Sequence, residues 1–298
     1  QAEDGIRDVE RSRGLGDVYK RQVLAHHFIV WIAILFALMP FIYVIGTSFN
    51  PSNSIGTTKI IPIKPTLIHY KELILDPYEP FPTWLLNTMK VSLTTALISV
   101  FFCSLGAYAF SRFRFRGRKV CLLTIVIIQI FPQTLSMVAI FKIMNEIGVY
   151  IPWLGLNTHL GLIMVYLGPA MGINTWLMKG YFDSIPKSLE ESALIDGASY
   201  FQAFIKIVIP LARPILSVVF IIQFIFGYSE FMLASILLKG KNMYTLSVGM
   251  KLFISQHYDD RWGLFAAGSV LSSLIIIMFF YLIQREMVSG LTRGAVRE

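Results

Sequence analysis

Residues 186–210, PKSLEESALIDGASYFQAFIKIVIP, form a polar, turn-broken stretch between two apolar runs. Their local chemistry specifies two short helices and a hinge. Ser188 stands three residues before Glu191, the spacing of a capping box, which predicts a helix starting just after Pro186. Gly197, after Asp196, can take the left-handed conformation that ends it. Ser199 and Gln202 repeat the box. Beyond them Phe201, Phe204, Ile205 and Val208 fall at i, i+3, i+4 and i+7, one apolar stripe. Pro210 and Pro214 then interrupt the chain. The stripe is expected to rest on the rest of the molecule while Glu190, Glu191 and Asp196 face water. A solvated amphipathic connector would carry this pattern, and so would a surface that another protein holds.

The surroundings decide what the stretch connects. Of 298 residues 55% are hydrophobic and 15% charged, with a mean hydropathy of +0.63, whereas about a quarter of a soluble domain is charged. Charge-poor apolar runs of about 20 residues can cross a bilayer as helices. Six spans are expected, near 26–47 (with Pro40 as a kink), 91–111, 120–141, 160–182, 214–238 and 263–283. None alternates as a membrane barrel strand does, so the expected class is an all-α integral membrane protein. RFRFRGRK, residues 112–119, packs five basic residues into eight, which places the loop between the second and third spans in the cytoplasm. The 186–210 stretch and both termini then lie on the same side. Lys239, Lys241, Lys251 and Arg261 in an outer loop run against this rule, but none matches the density of the 112–119 cluster.

Residues 48–84 carry six prolines and are expected to cap the bundle as loops and short turns. The first 22 residues, QAEDGIRDVERSRGLGDVYKRQ, differ from everything after them, with ten charges, five of each sign. They lack the apolar core of a signal peptide. QAEDGIRD and DVYKRQ back-translate to the two ends of a sequencing-library adaptor, so residues 1–22 are expected to be a cloning or assembly scar, with a single transmembrane domain in 23–298. Cys103 and Cys121 sit in apolar runs without metal-ligand spacing.

The 186–210 stretch resembles the EAA loop of permease subunits of ATP-binding-cassette importers: Glu-Ala-Ala, three residues, Gly, nine residues, Ile, one residue, Leu-Pro. Glu191-Ser192-Ala193, Gly197, Ile207 and Ile209-Pro210 fall in that register, with Ser192 and Ile209 as departures. The likeness continues through WLLNT (84–88), AYAFSRFRFRGRK (107–119), GLNTHLGLI (155–163) and the ending QREMVSGLTRGAVRE, and is greatest to the shorter subunit of maltose-type carbohydrate permeases. Where that family often shows Trp-Asn-Glu-Phe, this chain has Tyr228-Ser229-Glu230-Phe231. The resemblance implies the type I importer permease fold, six transmembrane helices with a cytoplasmic coupling helix. It also implies four kinds of partner: a second permease subunit, two ATPase subunits, an extracytoplasmic solute-binding protein and membrane lipid. Nucleic acid is not among them. ATP and magnesium would belong to the ATPase subunits, since this chain has no Gly-x-x-x-x-Gly-Lys-Ser/Thr segment to cradle phosphates. The coupling role falls on Glu190, Glu191, Ser192, Ala193, Asp196 and Gly197.

A solute path is less legible. Glu230 is the ionisable residue inside the fifth apolar run, and such groups usually face a cavity. Tyr228, Gln129, Gln133, Asn174 and Gln223 could offer hydroxyl partners to a mono- or oligosaccharide, and Tyr43, Tyr166 and Trp176 could stack on a sugar ring. Each polar residue alone could equally tie helix to helix. His69, His159 and His257 have no metal spacing and are given no role. A non-sugar solute such as glycerol phosphate or a polyamine stays open. An ion-coupled carrier would be expected to show several buried carboxylates or two related halves, and this chain shows neither.

Overall fold

The computed structural model describes residues 2–53, 62–255 and 260–294, and its ordered elements are all helical among the described residues. In chain order they are α1 (Ala2–Ser48), α2 (Ile68–Leu75), α3 (Phe81–Arg112), α4 (Arg118–Ile130), α5 (Gln133–Tyr150), α6 (His159–Ser184), α7 (Ser188–Ile195), α8 (Tyr200–Leu211), α9 (Arg213–Ser229), α10 (Met232–Leu237), α11 (Leu246–Lys251) and α12 (Trp262–Gly294). Four stretches are long and apolar enough to cross a membrane: Gln22–Ser48, Phe81–Arg112, His159–Ser184 and Trp262–Met287. Two bent pairs, α4 with α5 and α8 with α9, bring the number to six.

Four of the expected spans therefore stand as single helices and two do not. The run 120–141 is broken: α4 and the body of α5 meet at 104°. Phe131 is extended (φ −67°, ψ 126°) because Pro132 disfavours the helical region for the residue before it, and Pro132 has no N–H to continue the ladder. The run 214–238 splits at Glu230 (φ −64°, ψ 128°), leaving the 17-residue α9 and the short α10. Pro40, by contrast, lies inside α1. Among its described residues, the proline-rich 48–84 region holds the short helix α2 and the first turn of α3.

α3 is the axis of the bundle, packed chiefly on α6 and α9, while α12 lies along α1 and α9. One face of α3 is a row of small residues, Thr88, Ser92, Thr95, Ser99, Cys103, Ala107 and Ser111, all buried. Small side chains let helix backbones approach closely in a bilayer, where packing rather than the hydrophobic effect holds helices together. The approach is real: a Cβ on Gly227 of α9 would lie 3.2 Å from Ser92 Cα. Tyr108, Met178, Phe182, Phe204 and Val208 fill the core at the end of the bundle where α3 finishes. Phe81, Trp84, Phe224, Phe253 and Leu264 fill another that reaches the opposite end. Along α1, Phe28, Trp31, Phe36 and Phe41 are exposed, as suits a helix surrounded by lipid.

The far end is tied by the two short motifs noted in the sequence. Trp84 Nε1 donates to Lys241 O (2.7 Å), Asn87 Nδ2 to Asn242 O and Tyr244 O, and Leu246 N to Thr88 Oγ1. From the other side Asn157 Oδ1 accepts from the backbone N–H groups of Lys239 and Gly240, and His159 Nε2 pairs with Met243 O (2.9 Å). WLLNT and GLNTH thus grip one segment, 239–246, between them. His69 is likewise structural, its Nε2 2.7 Å from Asn50 O. His257 lies outside the described residues.

Candidate functional site

The 186–210 stretch folds as an elbow at the α3 end. α7 begins one residue earlier than its capping-box pattern suggested. Lys187 is the N-cap, its carbonyl accepting from Glu190 N and Glu191 N at 3.0 Å, so Ser188 stands inside the first turn and no side chain caps the helix. Ser188 instead offers its carbonyl to Ser192 Oγ (2.9 Å). The other end is as expected. Gly197 has φ +89°, its N–H reaching Leu194 O, while Ala198 N reaches Ala193 O (2.9 Å). These paired bonds are a Schellman close, which needs a residue at ease in the left-handed region. The second capping box forms in full: Gln202 N on Ser199 Oγ and Ser199 N on Gln202 Oε1.

The apolar stripe of α8 is only half as read. Phe204 and Val208 are buried, whereas Phe201 is 65% and Ile205 44% exposed. Phe204–Val208 is a π-helical turn, with Ile209 N on Phe204 O, and the extra residue per turn rotates the buried face. Pro210 has no N–H to give the Lys206 carbonyl, so a regular ladder could not continue there.

Of the six coupling candidates, Glu191, Ser192, Asp196 and Gly197 are exposed and Ala193 is half-buried. Glu190 is corrected: it does not face water. Its side chain is 7% exposed, with Oε1 2.5 Å from Arg112 Nε and Oε2 accepting the Tyr108 hydroxyl at 2.8 Å. Helix period explains the difference, since neighbours in sequence are turned about 100° apart and Glu190 points back to α3 while Glu191 points away. Arg112 and Tyr108 are participants that the sequence reading missed, counting Arg112 only among loop charges. An aromatic and an arginine four apart share a helix face, and that spacing was the available signal. The outward face of the elbow adds Ile195 (86% exposed) and Tyr200 to the acidic pair Glu191 and Asp196.

The path candidates do not converge. Glu230 caps α10: Oε1 accepts from Leu233 N (2.7 Å) and Oε2 from Ala234 N (3.0 Å) and the Tyr166 hydroxyl (2.6 Å). Tyr166 is fully buried in that bond and cannot stack on a solute. Tyr228 donates to Ser272 O on α12, and Asn174, 1% exposed, bonds Ala170 O in its own helix. Gln223 is buried, its Oε1 without a partner. Trp176 is exposed and Tyr43 half-buried. Gln133 opens α5, and its side chain lies outside the described residues. Gln129 lines a cavity of about 760 Å³ between α3, α4, α5 and α6, whose walls include Phe102, Phe110, Phe131 and Thr175. It donates to Pro169 O (3.3 Å) across α6 and lies over Gly172.

A bundle of up to six spanning helices, with a structured elbow presented at one end, defines a multi-pass membrane protein of the permease type. The comparisons agree. The chain belongs to the family of inner membrane components of binding-protein-dependent transport systems, whose family model matches residues 93–287. It is 41% identical to the maltose/maltodextrin transport system permease protein MalG of Vibrio vulnificus over 95% of this chain and 98% of that one. It is 38% identical to the galactooligosaccharides transport system permease protein GanQ of Bacillus subtilis, over 94% of this chain and 96% of that one. Among solved structures it is similar to a chain of a bacterial ABC transporter involved in the import of the acidic polysaccharide alginate. That match has a TM-score of 0.73 at 26% identity and covers 88% of this chain and 95% of that one. The expected fold, an all-helical ABC importer permease of type I, is thereby met.

Proposed function

We propose that this chain is one of two permease subunits of an ATP-driven importer for an oligosaccharide, and that its elbow is the surface on which an ATPase subunit acts. The observation that carries the reading is the Glu191–Gly197 segment. Its Glu191, Ser192, Asp196 and Gly197 are exposed, a left-handed glycine closes it, and the chain that carries it keeps 41% identity with a maltodextrin permease over 95% of its length. Relatives named for maltodextrin and galactooligosaccharide transport support the solute class.

On this reading the elbow, the 112–119 cluster and both termini face the cytoplasm, where the basic residues would remain during insertion. The ATPase subunits bind ATP and magnesium and supply the work. Glu191 takes a charge-assisted bond from an arginine or lysine of the ATPase, stronger than a neutral one. Ser192, Ala193, Asp196 and Gly197 form the rest of the contact, and Gly197 keeps its tip thin enough for close approach. Closing of the ATPase pair displaces the elbow as a rigid body and with it the helices that line the path. The binding protein delivers the solute at the far end, near the 239–246 segment. The 760 Å³ cavity, apolar except for Gln129, Ser136 and Thr175, offers a sugar little hydrogen bonding, so the second permease subunit supplies most polar contacts to the solute.

The test is a cysteine at Ser192, crosslinked in intact membranes of cells carrying the neighbouring transporter genes, alongside uptake of labelled maltotriose. A crosslinked ATPase subunit with retained uptake is expected. Absence of any ATPase chain in the product, with the cysteine reactive, refutes the assignment.

A further inference from the structure

We propose that Arg112 is a positioning residue whose guanidinium welds α3, the end of α6 and the coupling helix α7 into one moving part, so that a push on the elbow reaches the axis of the bundle directly. The inference rests on the reading that an ATPase grips the elbow.

α3 is remote from the elbow in sequence. The chain runs from α6 through α7 and α8 into α9, with a bend of 78° between α8 and α9. A displacement carried along that path alone would act first on α6 and α9. Arg112, the last residue of α3, supplies a direct link. Its Nε pairs with Glu190 Oε1 of α7 at 2.5 Å. Its Nη1 donates to Phe182 O and its Nη2 to Ile185 O, at 3.0 and 3.1 Å. Both carbonyls lie at the C-terminus of α6, where a cation is favoured; Phe182 O also accepts from Ile185 N (3.1 Å), while Ile185 O lies past the last helical turn. Nη1 also donates to Ser111 Oγ, whose own proton goes to Asp183 Oδ1 (2.6 Å). The second oxygen of Glu190 is taken by Tyr108, one turn back on α3, so α3 holds both ends of the carboxylate. Rings seal the junction: Tyr108 packs on Phe204 of α8 (4.7 Å between centroids) and Phe113 on Tyr200 (5.7 Å).

Both charged side chains are almost wholly buried, 6% and 7% exposed. An exposed pair would contribute little, and burying two charges is costly unless their hydrogen bonds are completed. Here four of the five guanidinium N–H donors are taken, by groups from three helices in a fork geometry that a lysine could not reproduce. The best-attested use of such a buried pair is to fix how elements sit against each other.

The test uses the whole importer in lipid nanodiscs, with spin labels at Lys187 and Arg114, exposed positions on either side of the junction. Pulsed electron resonance is expected to give one narrow distance, unchanged between the nucleotide-free and ATP-bound states. A distance that shifts with ATP in the native chain overturns the proposal without need of any variant. Arg112→Gln and Glu190→Gln are each expected to broaden that distance and to lower maltotriose moved per ATP hydrolysed by about tenfold, within the usual range of coupling between sites. The double variant is expected to be no worse than either, because both remove the same link. Multiplying losses, or an unbroadened distance in the variants, refutes it. The Ser192 crosslink separates the two ideas. If native protein crosslinks to the ATPase but the distance shifts, only the weld fails, whereas no crosslink removes the function reading itself.

Discussion

Replacing Gly197 with aspartate separates the elbow's own stability from its use. The residue has φ +89°, and a Cβ built there meets no atom within 4 Å. The substitution therefore clashes with nothing, and its intramolecular cost is conformational alone. Holding an L-residue in the left-handed region costs about 1–2 kcal/mol, and less for Asp or Asn, which can bond their own backbone. Opposed to it are the Schellman bonds, Gly197 N to Leu194 O at 3.1 Å and Ala198 N to Ala193 O at 2.9 Å. A penalty of that size shifts the local equilibrium of the elbow by a factor of about 5 to 30 and leaves the bundle untouched. Gly197→Asp is therefore expected to reach the membrane at native levels. The added carboxylate beside Asp196 would thicken and recharge the tip, so ATP hydrolysis would continue while uptake of labelled maltotriose falls by about tenfold or more. Gly197→Ala carries the strain without the charge, and Gly197→Asn neither the charge nor most of the strain, so their losses apportion the effect. Quantitative immunoblots and ATPase rates in proteoliposomes provide the denominators. Native uptake by the aspartate variant, or a loss matched by lost protein in the membrane, refutes the docking role of the tip.

Glu230→Ala should lower the unfolding midpoint in detergent, since it strips the acceptor from the Tyr166 hydroxyl and from two α10 N–H groups, at about 1–3 kcal/mol per buried group left unpaired; an unchanged midpoint would show that Glu230 is not the cap. Gly249→Ala places a methyl 2.2 Å from the Trp84 ring and should cost about 1–3 kcal/mol through overpacking, releasing 239–246 to limited proteolysis; equal resistance to protease would contradict the grip. Deleting residues 1–22 should leave membrane level and uptake unchanged if they are an assembly scar, and a fall in either would show them to be a working part of the chain.

What could be read from the chain follows the range of the forces involved. The helices, the elbow's glycine and its second capping box are set by residues within a turn of each other, so they were visible in one dimension. The same locality misled where a neighbour competed. Ser188 and Glu191 have capping-box spacing, but the chain turns from Pro186 first, and Lys187 takes the cap. Pro132 was within the apolar run taken as one span, and hydropathy is blind to a missing N–H. The register of α8 shifted because Pro210 loosens a turn four residues upstream. Side chains with tertiary partners were the least legible. Glu190 and Glu191 are equivalent on paper, and only the position of Arg112, 78 residues away, makes one internal and the other free for a partner.

Glu230 shows the same separation from the other side. An ionisable residue in a membrane run was read as facing a path, because an unpaired carboxylate in lipid is costly. The chain meets that cost differently, by breaking its fifth span at the carboxylate and offering it N–H groups from the first turn of α10, with the Tyr166 hydroxyl donating a third bond. A helix start is a natural anion site, so the charge is held by backbone already present. Glu190 in the elbow and Glu230 in the fifth span are thus both joints: one ties the elbow to α3, the other ties the broken fifth span to α6. Neither is left over for solute or ATPase. At the elbow the side chains left without internal hydrogen bonds include Glu191 and Asp196, beside the bare tip at Gly197, and on the proposed function that division would let one end be gripped while the bundle it moves stays intact.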